Sequence, residues 1–385
     1  MPKLRVCHIG FNFFPGQGLT IFYEFARHQA RQGLDVTAIA PGRPGEPAFE
    51  IIDGVRLHRI PLDSIGRFSL DRVRFLIQAS RILRKNDFDL IHIYAFVGAG
   101  LLPLLSQRKD ALWLYDCQTS AIKPPLLSLQ NRLIRLESYS FDTVTVLSEG
   151  IRDIVFGPGM PVAAIVPLGA DFEHFRPRPP DPALRSRYGI SETDCVLCYC
   201  GTLDHNRRME KLIDAFAFVA RQDNSAKLMI IGEGSALGEL KEQVRNLKLD
   251  DRVLFTGLIP YDEIPAHLSV TAVGLAFISM DACFEHQPPT KTVEYLAQGL
   301  PVVASDTAGN RAFIRHDFNG VLSLDSSEAY GQAMLDLVRN ADRRLRLAAS
   351  ARESVKAFDW GEIVRAKVIP LYRTILRDRR LTKYE

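Results

Sequence analysis

Short apolar runs alternate along the 385-residue chain with longer segments in which apolar residues recur every three or four positions. The short runs predict β-strands, and the longer segments predict helices that cover them. In the first half we expect strands at Leu4–Ile9, Asp35–Ile39, Val55–Arg59, Leu90–Tyr94, Leu112–Asp116, Thr143–Leu147 and Ala163–Val166. In the second half we expect them at Cys195–Cys200, Lys227–Ile231, Val253–Thr256, Val273–Phe277 and Val302–Ser305. This alternation indicates an α/β fold with doubly wound parallel sheets.

Two helices stand out in the pattern. The first runs from about Thr20 to Gln32 and ends at Gly33, a residue type favoured just after a helix. The second is marked by apolar residues at helical spacing, namely Met209, Leu212, Ile213, Phe216 and Val219.

Prolines crowd the segment between the two halves, at Pro177, Pro179, Pro180 and Pro182. Proline cannot continue a helix or occupy a central strand, so we predict a linker at 172–182. The predicted domains are then 1–171 and 183–360. Two such domains predict a central cleft, because doubly wound sheets bind ligands at the carboxyl ends of their strands.

The composition is that of a globular protein, with 46% hydrophobic and 24% charged residues. A formal charge of +3 is too small to favour a nucleic-acid coat. The longest apolar stretch, Tyr94–Leu105, is too short to cross a bilayer, and Met1–Gly10 does not resemble a signal peptide. Cys195 and Cys198 point to opposite faces of one predicted strand, which argues against a shared zinc site. We expect buried thiols and a protein of the reducing cytoplasm.

Several familiar catalytic motifs are absent: the P-loop, the HExxH helix and the GxSxG elbow. Gly10, Gly16 and Gly18 follow the first strand but do not have GxGxxG spacing, which disfavours a dinucleotide dehydrogenase. Gly16 and Gly18 still precede a helix, where a loop without side chains lets backbone N–H groups approach a phosphate or a sugar. A plain tight turn is the alternative.

The segment Phe284–Asp306 is the richest in chemistry. Pro288 and Pro289 predict a loop that closes onto a helix start, and the first turn, around Thr290, Lys291 and Thr292, would present N–H groups to an anion. Lys291 adds a cation for a diphosphate, and Glu294 adds an acceptor for sugar hydroxyls. The alternative is that Glu294 only favours the helix dipole and Lys291 is solvated.

This segment resembles the signature of the family-4 (group 1) retaining glycosyltransferases of the GT-B fold, which ends in a glutamate followed by A-x-G-x-P-V. The matching residues are Glu294, Ala297, Gly299, Pro301 and Val302. The family's linker pattern P-x-G-x-D-x-x-x-F-x-P is matched by Pro167, Gly169, Asp171, Phe172, Phe175 and Pro177. Gly201 with Arg207 is similar to the family's phosphate loop, and Gly232 with Gly234 is similar to its G-x-G turn.

The resemblance implies two Rossmann-like domains facing a central cleft, with a C-terminal helix at about 361–385 packing back on the first domain. It implies a retaining hexosyl- or N-acetylhexosaminyltransferase of polysaccharide or glycolipid biosynthesis that uses a nucleoside-diphosphate sugar. No metal and no cofactor are expected, because Arg207, Lys291 and the helix start would neutralise the departing diphosphate.

Individual roles follow from the resemblance as well. Glu294 would hold the ribose, Arg207 would grip the diphosphate with Arg208 as its substitute, and His92 would lie near the reacting sugar. A buried histidine is the alternative for His92. The other implied donor-binding residues are Gly16, Gly18, Gly201, Thr202, Gly232, Gly234, Glu285, His286, Pro289, Thr290, Lys291 and Thr292.

Two departures from the family pattern keep other functions open. His286 stands where the family has its first glutamate, with Glu285 beside it, and Thr202 replaces an arginine. A non-catalytic subunit that binds sugar nucleotides is therefore an alternative, as is a sugar-nucleotide 2-epimerase.

The N-terminal half is the expected source of acceptor specificity, for a glycan or a lipid-linked acceptor. Its basic residues Arg67, Arg72, Arg74, Arg81, Arg84, Lys85, Arg132 and Arg135 are interleaved with apolar ones. Such a surface suits peripheral contact with an anionic membrane. A solvated helix face is the alternative.

Overall fold

The computed structural model describes residues 3–15, 20–62, 70–121, 127–160, 162–280 and 284–382, without the side chains of 380–382. The chain divides into two compact units. The first comprises Met1–Leu168 and Trp360–Glu385, and the second comprises Gly169–Asp359. Within the described residues no helix combines the length and apolar character needed to cross a bilayer.

The first unit is built on one sheet. Its strands are β1 (Arg5–Ile9), β2 (Asp35–Gly42), β3 (Phe49–Ile52), β4 (Val55–Pro61), β5 (Leu90–Tyr94), β6 (Leu112–Cys117), β7 (Thr143–Val146) and β8 (Ala164–Ile165). Their order is β3-β4-β2-β1-β5-β6-β7-β8, and the pairs are parallel except for β3 with β4. The strand β3 was not expected from the sequence. It is a short edge strand whose residues are all at least partly exposed.

Helices cover both faces of this sheet. Those before the second unit are α1 (Thr20–Arg31), α2 (Leu70–Lys85), α3 (Leu102–Ser106), α4 (Leu127–Ser138) and α5 (Glu149–Phe156). The helix α1 ends close to the predicted place, and Gly33 behind it has a φ of 89°. A 3₁₀ turn, Ala99–Leu101, leads directly into α3.

The chain returns to the first unit after residue 359. The returning elements are α14 (Trp360–Ile363), a π-helical turn (Val364–Val368) and α15 (Ile369–Thr382). Trp360 packs edge-on against Phe25 of α1, and Tyr372 is fully buried.

The second unit has a parallel sheet of its own. Its strands are β9 (Cys195–Cys200), β10 (Ala226–Ile231), β11 (Val253–Gly257), β12 (Val273–Ala276), β13 (Val302–Ser305) and β14 (Gly320–Ser323). Their order is β11-β10-β9-β12-β13-β14. The helices are α6 (Pro182–Arg187), α7 (Glu210–Ala220), α8 (Leu237–Asn246), α9 (Ile264–Ser269), α10 (Thr290–Ala297), α11 (Ala308–Arg311), α12 (Ser327–Arg339) and α13 (Ala341–Ser354).

The proline-rich segment 172–182 lies in the second unit. Phe175 is fully buried, and Arg352 donates hydrogen bonds to the carbonyls of Phe175 (2.6 Å) and Phe172 (2.9 Å). The chain passes between the units at 168–169 and at 359–360, outside the segment that the prolines suggested as the linker.

Candidate functional site

The sheet of the second unit has a reversal in its strand order. Counted along the chain from β9, the order is 3-2-1-4-5-6, with the reversal between β9 and β12. Sheets of this kind bind ligands at the carboxyl ends of the strands that flank the reversal. The segments that follow β9, β10 and β12 are therefore the place to look for a site.

Glycines bring the loops after β9 and β10 into backbone contact. A Cβ on Gly232 would lie 2.0 Å from the carbonyl oxygen of Gly201, and one on Gly234 would lie 2.4 Å from the carbonyl carbon of Leu203. The N–H of Gly201 donates to the carbonyl of Ile231 at 2.9 Å. These contacts leave a rim of backbone without bulky side chains, as a phosphate site requires.

Lys291 of helix α10 reaches the same strand end, and Glu294 lies one turn further along that helix. The ammonium of Lys291 lies 3.7 Å from the centre of the Tyr199 ring, and it would be 2.8 Å from a Cβ on Gly201. The pKa of the Cys200 thiol is raised to about 12, chiefly by burial and next by the charge of Glu294, with Lys291 acting in the opposite direction. Both charged groups therefore act on the last residue of β9.

The two adjacent arginines of the loop after β9 differ in their surroundings. The Arg207 guanidinium lies 4.5 Å from the centre of the Phe284 ring, in the segment that leads to α10. Arg208 is exposed, has a φ of 54° and pairs with Glu210 at 2.8 Å. Arg207 is therefore the arginine that faces the predicted donor segment.

Glu285 is occupied by a structural hydrogen bond. Its Oε1 accepts from the N–H of Ala308 at 3.0 Å, at the first residue of α11, and its carbonyl accepts from Gly309 at 2.9 Å. A Cβ on Gly309 would lie 2.4 Å from the Gln287 carbonyl oxygen. Glu285 thus holds the 284–289 loop against α11, and His286 beside it is half-buried.

A fully buried asparagine fixes the start of α10. Asn310 Oδ1 accepts from the Thr292 hydroxyl at 2.8 Å, and its Nδ2 donates to the carbonyls of Ala276 (3.2 Å) and Ser305 (2.9 Å). These bonds join the first turn of α10 to the carboxyl ends of β12 and β13. The position of Lys291 is therefore set by the sheet.

The remaining predicted residues surround this centre. Thr202 is exposed directly after Gly201, and its carbonyl accepts from the Tyr199 hydroxyl at 3.3 Å. Pro289 directly precedes α10, and Thr290 is its first residue.

Family models match both units of the chain. The model described as glycosyl transferases group 1 matches residues 181–354, and the glycosyl transferase 4-like domain matches residues 18–170. The chain belongs to the family-4 glycosyltransferases. Its two Rossmann-like sheets are those of the GT-B fold.

Individual relatives of this glycosyltransferase support the same family assignment. It is 27% identical to the GDP-mannose-dependent alpha-(1-6)-phosphatidylinositol monomannoside mannosyltransferase of Mycobacterium tuberculosis, over 77% of this chain and 79% of that protein. It is 26% identical to the alpha-monoglucosyldiacylglycerol synthase of Streptococcus pneumoniae, over 80% of this chain and 72% of that protein. The solved sucrose-phosphate synthase of Thermosynechococcus elongatus superposes with a TM-score of 0.80 at 18% identity, covering 98% of this chain and 100% of that one. The relatives support a glycosyltransferase over the binding subunit and the epimerase.

In this glycosyltransferase His92 lies inside the first unit. It is 2% exposed, with Nδ1 2.5 Å from the Tyr372 hydroxyl and its ring stacked on Tyr94. Its Nε2 lies 3.2 Å from Asp116 Oδ2, out of hydrogen-bonding alignment. His92 therefore has the environment of the buried histidine that was the alternative to a role beside the sugar. Gly16 and Gly18 lie outside the described residues.

Some site residues were not found from the sequence. Tyr199 and Phe284 carry the rings under Lys291 and Arg207, and Asn310 carries the link to the sheet. Tyr199 gave no usable signal, because it lies in an apolar strand that also fits a buried core. No cluster of three metal-ligating side chains occurs among the residues that the structure describes.

Proposed function

We propose that this glycosyltransferase moves a hexosyl or N-acetylhexosaminyl group, with retention, from a nucleoside-diphosphate sugar to a glycan or lipid-linked acceptor. The observation that carries the proposal is the approach of Lys291 to the Gly201 loop at the end of β9, with Glu294 one turn further along α10. A backbone rim, a cation and a carboxylate are together what a nucleoside diphosphate needs.

Three groups would stabilise the negative charge that develops on the departing diphosphate. They are the ammonium of Lys291, the guanidinium of Arg207 and the positive end of α10. All three lie in the segments that follow β9 and β12. Because these groups would neutralise the diphosphate, we propose that the reaction uses neither a metal ion nor another cofactor. Activity that survives a chelator is the corresponding expectation.

Glu294 is assigned to the sugar of the nucleotide. It lies one turn after Lys291 on α10, is half-buried, and acts on Cys200 through its charge. A carboxylate accepts two hydrogen bonds from neighbouring hydroxyls, which is the pattern a ribose presents.

We infer the class of acceptor from the names of two relatives. The mycobacterial relative is named for phosphatidylinositol monomannoside and the streptococcal one for monoglucosyldiacylglycerol. A lipid-linked acceptor fits both names, and a cytoplasmic enzyme peripheral to an anionic membrane would have access to it.

The deciding experiment is a panel of UDP-, GDP- and ADP-sugars. Donor hydrolysis, and transfer with lipid acceptors supplied, are measured with and without EDTA. We expect one donor class to be turned over, equally well in EDTA.

Two substitutions test the site itself. Lys291→Met should raise the donor dissociation constant by roughly tenfold to a hundredfold, because a charge-assisted hydrogen bond is lost. The matched control is Lys241→Met. Lys241 lies on helix α8, and its ammonium also lies over an aromatic ring, that of Phe255. Glu294→Ala should weaken the binding of UDP or GDP alone as much as the binding of the complete donor. Binding without turnover of any donor would contradict the enzyme, and unchanged affinity in both site variants would contradict the site.

A further inference from the structure

The loops that follow β9 and β10 are joined through their backbones as far as Leu203. Its N–H donates to the carbonyl of Glu233 at 2.9 Å, and its carbonyl accepts from the N–H of Ala236 at 2.9 Å. Gly234 lies so close that a Cβ on it would be 2.7 Å from the backbone nitrogen of Asp204. Leu203 is fully buried, whereas residues 204–206 are exposed. These backbone bonds therefore end just before the 3₁₀ turn His205–Arg207.

Asp204 continues the connection with its side chain. Its Oδ1 accepts from the N–H of Ser235 at 3.0 Å and from the hydroxyl of Ser235 at 3.2 Å. Its own carbonyl accepts from the N–H of Arg207 at 2.8 Å, which closes the 3₁₀ turn. The N–H of Ser235, and more weakly the charge of Arg207, lower the pKa of the Asp204 carboxyl below its usual range. Asp204 thus binds the loop after β10 with its carboxylate and Arg207 with its backbone.

The first residue of the turn contacts the same loop. His205 Nδ1 lies 2.9 Å from the hydroxyl oxygen of Ser235, and His205 Nε2 lies 3.0 Å from Oε1 of Glu239 on α8. The side chains of His205 and Glu239 are 57% and 74% exposed, and a pair so open to water contributes little. The carboxylate of Asp204 is the stronger link, because an ionised acceptor strengthens a hydrogen bond from a backbone N–H.

Arg207 depends on this turn for its direction. Its guanidinium lies 4.5 Å from the centre of the Phe284 ring, and no carboxylate of the described residues lies within ion-pair distance of it. A contact with a ring leaves the N–H donors in the plane of the guanidinium available to a ligand. The backbone of the turn, rather than an ion pair, therefore sets where Arg207 points.

We propose that Asp204 is a positioning residue that aims Arg207 at the diphosphate of the donor. An arginine binds two phosphate oxygens at once only when its planar guanidinium is correctly oriented. Loss of the Asp204 carboxylate would free the turn from Ser235 while the backbone bonds of Leu203 stay in place. Because the ligand of Arg207 is the diphosphate, this role rests on the proposed function.

Two substitutions of Asp204 test the role of its hydrogen bonds. UDP and GDP are titrated into the full chain and into each variant by calorimetry. Asp204→Ala should raise the dissociation constant of the nucleotide that the unchanged chain binds by about fivefold to twentyfold, because the charge-assisted contact of Arg207 is weakened. Asp204→Asn keeps an acceptor oxygen for Ser235, so its dissociation constant should lie within about threefold of the original value.

A double variant shows whether Asp204 acts through Arg207. Arg207→Met alone should raise the nucleotide dissociation constant by about tenfold or more, because a charged donor is lost. Adding Asp204→Ala to Arg207→Met should change this constant by no more than about twofold, since two residues that act together do not lose affinity additively. Additive losses would show that Asp204 acts on the site independently and would overturn the proposal.

The matched control is Asp223→Ala. Asp223 Oδ1 accepts from the N–H of Ser225 at 2.9 Å and from its hydroxyl at 2.7 Å, which is the same pair of bonds. Asp223 precedes β10, however, and so lies at the opposite end of that strand from Ser235. Both alanine variants should lower the midpoint of thermal unfolding by a similar amount, about 2–4 °C. Only Asp204→Ala should weaken nucleotide binding.

The outcomes distinguish this role from the proposed function. Unchanged affinity in Asp204→Ala, with weaker binding in Arg207→Met, would overturn the role of Asp204 and leave the donor site standing. An equal loss of affinity in Asp223→Ala would overturn it as well, because the effect would then be a general loss of stability. Absence of UDP and GDP binding by the unchanged chain would contradict the proposed function and the role of Asp204 together.

Discussion

Each unit has a glycine directly after the strand at which its sheet order reverses, and the two units use this glycine differently. Gly10 follows β1 and Gly201 follows β9, each the first strand of its sheet. A Cβ on Gly10 would lie 2.6 Å from the ring of Phe22, whereas one on Gly201 would lie 2.8 Å from the ammonium of Lys291. The missing side chain of Gly10 leaves space for an aromatic core residue, and that of Gly201 leaves space for a cation.

This difference shows that strand order locates a site but does not make one. Phe22 is 1% exposed and packs against the rings of Phe14 and Tyr94, so apolar contacts fill the space beside Gly10. Lys291 at the equivalent point is half-buried. Chemistry is added to a fold by individual side chains, as in other doubly wound proteins.

The largest expected effect comes from Gly232→Ala. The new methyl group would meet the Gly201 carbonyl oxygen at 2.0 Å, and backbone cannot move aside as a side chain can. We expect donor kcat/KM to fall by about 100-fold, because a shift of roughly 1 Å in a binding loop has that cost.

The matched control for Gly232→Ala is Gly238→Ala, on helix α8, where a Cβ would have no neighbour within 4 Å. That change should stabilise the fold by about 0.5–1 kcal/mol and leave donor kinetics unchanged. Equal losses in both variants would mean that the close approach of the two loops is irrelevant to the site.

A paired substitution tests the comparison directly. Gly10→Ala should cost about 1–3 kcal/mol of unfolding free energy without changing donor affinity, because it overpacks a core. Gly201→Ala should instead raise the donor KM by about tenfold, because it displaces Lys291. Both are measured by thermal unfolding and by donor kinetics, and a swap of the two outcomes would refute the contrast.

Acid should destabilise the first unit through His8. Burial, with a smaller effect of His92, lowers the pKa of His8 to about 3 from an ordinary 6.5. The unfolded chain then binds a proton below pH 6.5 that the folded chain does not, so stability is full above that pH and is lost as pH falls toward 3. At pH 5 the loss should be about 2 kcal/mol.

Tryptophan fluorescence is the measurement, since Trp113 and Trp360 both lie in the first unit. His8→Gln should flatten the loss between pH 7 and pH 5. His316→Gln, at a histidine with 53% side-chain exposure in the second unit, should leave it intact. An unchanged slope in His8→Gln would assign the acid sensitivity to another group.

The smallest effect is expected at the start of α10. Thr292→Val keeps the shape of the side chain but removes the 2.8 Å hydrogen bond to Asn310. We expect a cost of about 1 kcal/mol and a severalfold higher donor KM at unchanged kcat. Thr292→Ser keeps the hydroxyl and should restore the KM. A KM unchanged in the valine variant would show that the sheet does not position Lys291.

The strands were largely predictable from sequence where the apolar signal is continuous. Leu90–Tyr94 and Val302–Ser305 match the structure at both ends. β3 and β14 were missed, because β3 is an exposed edge and β14 begins with a glycine. Neither presents the continuous apolar run by which a buried strand is recognised.

The sequence predicted only those parts of the site that depend on residues close together in the chain. The prolines before α10 and the spacing of Lys291 and Glu294 are local, and the structure brings Lys291 to Gly201 at the end of β9. The partners of Glu285 and the rings under Lys291 and Arg207 come from distant parts of the chain. Strand periodicity also could not say which face His92 occupies, and it lies in the core.

The return of the chain to the first unit sets an order of completion during synthesis. Trp360, Val364 and Tyr372 belong to a core that the returning elements share with residues up to Leu168. A ribosome therefore finishes the continuous second unit before it has made these residues. Until they emerge, His92 and Gln29 lack their partner Tyr372, and the nascent first unit presents an unfinished apolar surface to chaperones.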